Sequence, residues 1–191
     1  MEMKKYDYNE ENYPRFSDDD LDRNRYRIVE DAYWNARNLK EIIEEVYDTS
    51  EVHGLHNRKE EVVFSLVALT CELYLKSLVY ANLEQKSIVY NHDLYSLFDL
   101  LPNEIKKTIT DLSEQTVCAE EMENNRDVFV RFRYSYEMKG YRINASFLFH
   151  LMSALSRFCD KHYSQTIVKG KGKWHRVGYC SDGYFYRLEI E

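Results

Sequence analysis

The sequence predicts a mainly α protein, a four- or five-helix bundle followed by a C-terminal β-hairpin, and three observations carry that expectation. Breakers are scarce: 6 glycines and 2 prolines in 191 residues, which favours long helices over a many-stranded sheet. Apolar residues recur at helical intervals up to about residue 163. Beyond Val168 the pattern changes to alternation, and four of the glycines fall there.

In chain order, residues 1–16 are polar, tyrosine-rich and aperiodic, and are expected to form a flexible arm. Ser17 followed by Asp20 resembles a capping box, with Asp18 and Asp19 adding acid that suits a helix N-terminus. From there Ile28, Ala32, Tyr33, Ala36, Leu39, Ile43 and Val46 repeat at helical spacing, predicting a first helix from about Asp18 to Tyr47. His53–Asn57 should interrupt it. A second helix follows from about Asn57 to Ala81; it is apolar around most of its circumference and is expected to be central to the core. Asp93 should cap a short helix beginning at Leu94, and Pro102 can open the next piece. Helix is expected over 104–112 and 118–137, the latter bending near Asn124 and Asn125, and again over 145–163. The helical part thus spans 17–165. The appendage spans 166–191, where Ser181, Asp182 and Gly183 make a turn between alternating segments.

Bulk properties narrow the function classes. No window approaches 18 uninterrupted apolar residues, so no membrane span is expected, and the N-terminus lacks the apolar run of a secretory signal. Cysteines 71, 118, 159 and 180 are widely spaced without a C-x-x-C pair. This suits reduced, mostly buried thiols in a cytoplasmic protein. The net charge of −7 is unevenly spread: residues 1–125 hold 14 Lys/Arg against 27 Asp/Glu, whereas residues 126–187 hold 12 against 4. The basic half can present an anion-binding face or simply neutralise the acidic half.

Three segments carry polar groups that core packing does not require: Cys71–Lys76 (CELYLK), Asn91–Pro102 (NHDLYSLFDLLP) and Phe129–Glu137 (FVRFRYSYE). On helices, Glu72 and Lys76 share a face, as do Arg133 and Glu137. If the second helix lies beside the third segment, Glu72 can pair with Arg133, and His92 can enter the same place from its loop. Such a cluster can hold a phosphate or base, with Tyr134 or Tyr136 stacking on the ring. It can equally be an internal ion pair that orients two helices.

The order and texture of C-E-L-Y-L-K, H-D-L-x-x-L-F-x-L-L-P and F-R-Y-x-Y-E resemble the HEPN superfamily of small helical bundles, over roughly residues 25–163. The resemblance implies a two-fold dimer and action on, or binding of, RNA or nucleotides. In active members it implies an Arg, then four to six intervening residues, then a His, just before or at the start of the last helix, for metal-free RNA cleavage. Arg126, Arg131, Arg133 and Arg142 lie in that region, and none has a His at that spacing. Arg157 and His162 do match, but at the far end of the last helix, and a chain of this composition yields about one such match by chance.

Lys169, Lys171, Lys173 and Trp174 form a separate basic–aromatic run, suited to a phosphate backbone with a stacked base or to guarding an edge strand. His53, His56 and His150 show no carboxylate or cysteine at metal-ligand spacing, and no glycine-rich phosphate loop is present, so neither metal nor cofactor is expected. The resulting expectation is a HEPN-like protein that binds RNA, nucleotide or a protein partner without the usual cleaving pair. The alternative is a metal-independent endoribonuclease of a defence or toxin–antitoxin system, with an antitoxin or defence protein as partner. In that case Arg133 would act with Tyr134, Tyr136, Glu137 or His92. A tyrosine that titrates near pH 10 is a poor proton carrier at neutrality, which weighs toward binding.

Overall fold

The computed structural model describes residues 18–53, 59–82, 87, 89–114, 117–133, 143–167, 172–180 and 183–190. Among them the chain is mainly helical. The helices are α1 (Asp18–His53), α2 (Lys59–Ala81), α3 (Leu94–Asp99), α4 (Asn103–Leu112), α5 (Ala119–Asn124), α6 (Val128–Arg133) and α7 (Ala145–Ile167). The backbones of β1 (Gly172–Cys180) and β2 (Gly183–Ile190) pair antiparallel, with Gly172 opposite Ile190 and Cys180 opposite Gly183. Their side chains, like that of Arg133, lie outside the described residues.

α2 is the hub. It packs against α1, α3, α6 and α7, which explains why so much of its circumference is apolar. Val63, Val67, Ala68, Cys71, Tyr74, Leu75, Leu78 and Val79 are all buried. The segment Val62–Ala81 is long and apolar enough to cross a bilayer by length and composition, yet 61% of it is buried against the other helices. Two hydroxyls that would otherwise be stranded in this helix bond back to its own carbonyls, Thr70 to Leu66 at 2.7 Å and Ser77 to Tyr74 at 2.8 Å.

α1 contributes Leu21, Tyr33, Ala36 and Ile43 to the core, and α7 contributes Phe147, Leu148, Leu151, Leu155 and Cys159. Arg25 near the start of α1 donates to the carbonyls of Tyr80 and Asn82 at the end of α2, so these two helices run antiparallel. It also satisfies carbonyls that a helix C-terminus leaves bare. The thiol of Cys71 faces the Leu148 carbonyl at 3.7 Å, and burial pushes the Cys71 and Cys159 thiols well above the usual range. Both match the expectation of reduced, core-filling cysteines, whereas Cys118 is exposed.

Several boundaries differ from the sequence expectation. α1 continues to His53, six residues further than its apolar repeat required. The helix expected over 118–137 is divided: α5 stops at Asn124, and α6 starts afresh at Val128. Asn125 supplies the reason for the division. It is buried, and its side-chain amide donates to the Glu121 carbonyl at 2.8 Å while its side-chain oxygen accepts from the Asn144 backbone N–H at 3.3 Å. A side chain that competes for backbone groups in this way ends a helix. Asn144 then caps α7 by accepting from the Phe147 N–H at 3.0 Å.

The cap on α3 was expected and is present. Asp93 accepts from the Ser96 N–H at 3.0 Å. Burial alone would raise its carboxyl; the Ser96 N–H and the Arg126 guanidinium outweigh that and hold it below the ordinary carboxylate range. The stabilisation is therefore complete above the ordinary carboxylate pKa and disappears as pH falls through the lowered folded value. Asp93→Ala is expected to cost about 1 kcal/mol at pH 7. Urea unfolding followed by circular dichroism should show the difference from wild type shrinking as pH approaches 3. A difference that stays constant across that range would mean the carboxylate charge is not what stabilises the cap.

Candidate functional site

The site is built where α2, the α2–α3 connection and α6 meet. Glu72 sits in the middle of α2, and only 2% of its surface is exposed. A carboxylate that deeply placed needs donors, and it has them. One turn on, Lys76 Nζ donates to Glu72 Oε1 at 2.8 Å. His92 Nδ1 lies 2.9 Å from Oε1 and 3.0 Å from Oε2. A carboxylate can only accept, so Nδ1 carries the ring proton and Nε2 is left as the outward edge. The side chain of His92 is 46% exposed, and Nε2 has no hydrogen-bond partner among the described residues.

The loop that carries His92 is held on both sides. Its ring packs on Phe129 of α6, with centroids 5.5 Å apart. The next residue, Asp93, accepts from Arg126 Nε at 2.8 Å and from Nη2, and the Arg126 carbonyl accepts from the Leu94 N–H at 2.9 Å. Arg126 Nη1 also donates to Glu123 Oε1 at 2.6 Å, and the guanidinium lies over the Tyr95 ring. This clamp joins the start of α3 to the α5–α6 corner and so sets where the preceding imidazole can go. Arg131 is tied in turn to Asp127 at 2.7 Å.

Of the residues singled out from sequence, Glu72, Lys76 and His92 are brought together. The pairing of Glu72 with Arg133 concerns a side chain outside the described residues, as do the roles given to Tyr134, Tyr136, Glu137, Lys169, Lys171, Lys173 and Trp174. Among the described residues, the partners of Glu72 are His92 and Lys76. α6 does lie along α2, with Phe132 stacked on Phe64 at 6.1 Å. Arg157 and His162 both line a cavity of about 470 Å³ between α4 and α7, with Thr108, Leu112, Phe158 and Lys161, and the His162 ring stacks on Phe158. No group of His, Cys, Asp and Glu suited to a metal occurs among the described residues.

Sequence reasoning missed Arg126 as the residue that positions the histidine. Its partner Asp93 is 33 positions away, and nothing in either local pattern links them. It also missed the Glu121–Asn125–Asn144 cluster, in which Asn144 Nδ2 donates to Glu121 Oε2 at 2.9 Å. No family model, no curated protein and no solved structure matches this chain.

The geometry makes the tautomer of His92 a measurable consequence. Long-range ¹H–¹⁵N correlation should find the neutral imidazole protonated at Nδ1 in the wild type, and a mixture with the Nε2-protonated form in Glu72→Ala. Removing a charged acceptor this well buried should also cost about 3 kcal/mol in urea unfolding. A wild-type ring protonated only at Nε2 would show that the Glu72–His92 bond is absent in solution.

Proposed function

We propose that this chain is a HEPN-like helical protein, with a C-terminal β-hairpin as an appendage, that binds the phosphate of an RNA or nucleotide without cutting it. The observation that carries the reading is the His92 ring. A buried carboxylate holds its Nδ1 side, Phe129 holds one face, and its Nε2 edge is turned toward solvent. When the ring takes a second proton, at Nε2, that edge can offer an anion a charge-assisted hydrogen bond without first losing side-chain freedom.

Cleavage of a phosphodiester asks for more. One group must take a proton from the nucleophile and another must give one to the leaving oxygen, on opposite sides of the phosphorus. Among the described residues, the side chains in contact with His92 are Glu72 and Phe129, neither of which can serve as the second proton carrier there. Arg126, which clamps the neighbouring Asp93, is engaged with it and with Glu123, and Lys76 is engaged with Glu72.

The alternative, a metal-independent endoribonuclease of a defence or toxin–antitoxin system, draws support from the same pair. A carboxylate that fixes the tautomer and orientation of an imidazole is what a general base requires. In either reading Lys169, Lys171, Lys173 and Trp174 would supply a second contact to the phosphate backbone, and a second copy of the chain or an antitoxin-type protein would be the partner.

Labelled single-stranded RNA incubated in EDTA distinguishes these outcomes. Fluorescence anisotropy should report salt-dependent binding with the RNA intact on a gel. His92→Gln should weaken it about tenfold, the scale of one charge-assisted hydrogen bond. Replacing Lys169, Lys171 and Lys173 with alanine should flatten the salt dependence. Cutting that disappears in His92→Gln would overturn the binding reading in favour of the nuclease. Absence of both binding and cutting at low salt would remove nucleic acid as the ligand.

A further inference from the structure

A cavity of about 270 Å³ lies at the end of the bundle where α1 begins and α2 and α7 finish, away from His92. Half of its lining is aromatic, Tyr26, Tyr33, Tyr163 and His162, and Arg25 and Glu30 are its charged members. The aromatic rings are set by contacts around them. Tyr33 and Tyr163 meet edge to face with centroids 5.0 Å apart. The Tyr33 hydroxyl donates to Asp160 Oδ1 at 2.7 Å, and that of Tyr163 to Ser77 Oγ at 3.4 Å. Burial, with that Asp160 bond, pushes the Tyr33 phenol up to about 12, so it stays a neutral ring at physiological pH.

Glu30 is the anomaly. It is 6% exposed, yet no Lys or Arg forms an ion pair with it among the described residues. Burial raises its carboxyl above the usual range and neighbouring Asp31 adds to the rise. The Trp34 indole N–H, buried without a hydrogen bond of good geometry, offsets only part. Burial, and after it the nearby Glu30 charge, raise the Tyr26 phenol as well. The Nη1 of Arg25 is drawn to the Tyr80 and Asn82 carbonyls at 3.0 and 3.2 Å. A carboxylate held in a cavity half lined by aromatic rings, with no ion-pair partner among the described residues, is costly unless something positive arrives.

We propose that this cavity binds a small organic cation, a protonated or quaternary amine on a short apolar body, with the ammonium against Glu30 and its alkyl groups on the faces of Tyr26, Tyr33 and Tyr163. Ring faces attract a cation through their quadrupole, and the attraction is strongest where water is excluded. The carboxylate adds an ion pair whose desolvation the fold has already met. Arg25, anchored on the α2 carbonyls, repels the ammonium from that side and directs it to the Glu30 end. The site shares no residue with the Glu72–His92 cluster and does not depend on its function.

Choline and its neutral isostere 3,3-dimethylbutan-1-ol separate charge from shape, and isothermal titration of the full chain reads both. Choline should bind, and the isostere about tenfold more weakly or not at all. Glu30→Gln keeps the volume and should weaken choline about tenfold. Tyr26 is 45% exposed, so its substitution should leave the fold intact. Tyr26→Ala should weaken choline several-fold, and Tyr26→Phe should restore it. Equal binding of choline and the isostere, or unchanged binding by folded Glu30→Gln, would overturn the proposal. So would failure of choline, ethylammonium and spermidine alike to bind at millimolar concentration.

Discussion

A carboxylate in the middle of the most buried helix organises much of what surrounds it. Glu72 lies on α2 with almost no exposure, and a charge in that position is tolerated only because two donors reach it. Lys76 comes from the same helix and needs only helical geometry. His92 comes from a separate connection, so its bond to Glu72 requires that connection, α3 and α6 to pack on α2 in one arrangement. The need to satisfy one buried charge thus constrains three elements at once. It also leaves an imidazole fixed on one side and open on the other.

The polar groups around this centre work as a set rather than singly. Asp93 caps α3 and accepts from Arg126, and Arg126 returns its backbone carbonyl to Leu94. Glu121, Asn125 and Asn144 join α5 to the start of α7 through side-chain and backbone bonds. At the other end of the bundle, Tyr33, Asp160 and Ser156 tie α1 to α7, with Asp160 accepting from both hydroxyls. Short helices such as α3, α5 and α6 are too brief to persist on their own. These side-chain clamps, with the burial of Leu94, Leu97, Met122 and Val128, are what hold them. The two candidate ligand sites fall at opposite types of place: one where a charge is fully partnered, one where it is not.

Much of the helical layout was legible because it follows from period. Ile28 through Val46 repeat on one face, and Val63 to Val79 are apolar nearly all round; each pattern suits only a helix with a core to meet. The α3 cap was legible too, since an aspartate just before an apolar turn has a local partner in the Ser96 N–H. The break between α5 and α6 was placed correctly near Asn124 and Asn125 but underestimated as a bend. The buried amide of Asn125 takes bonds from α5 and from Asn144, and Asn144 is far along the chain. For the site, helical spacing put Glu72 and Lys76 on one face; His92 was expected in the same pocket beside a Glu72–Arg133 pair, and its direct bond to Glu72 was not foreseen. Arg126 was not recognised as a positioning residue, because its partner is distant in sequence.

By itself, the sequence determined where helices form and which faces they bury, because period and local capping act over a few residues. It also marked which polar groups were too many for a simple core. Only the tertiary structure decided how those groups are paired: Glu72 with His92, Asp93 with Arg126, and Glu30 with no cation among the described residues. The physical reason is range. Helix propensity and hydrophobic period are summed along the chain, whereas the partner of a buried charge is chosen by whichever donor the packing of distant helices brings within about 3 Å.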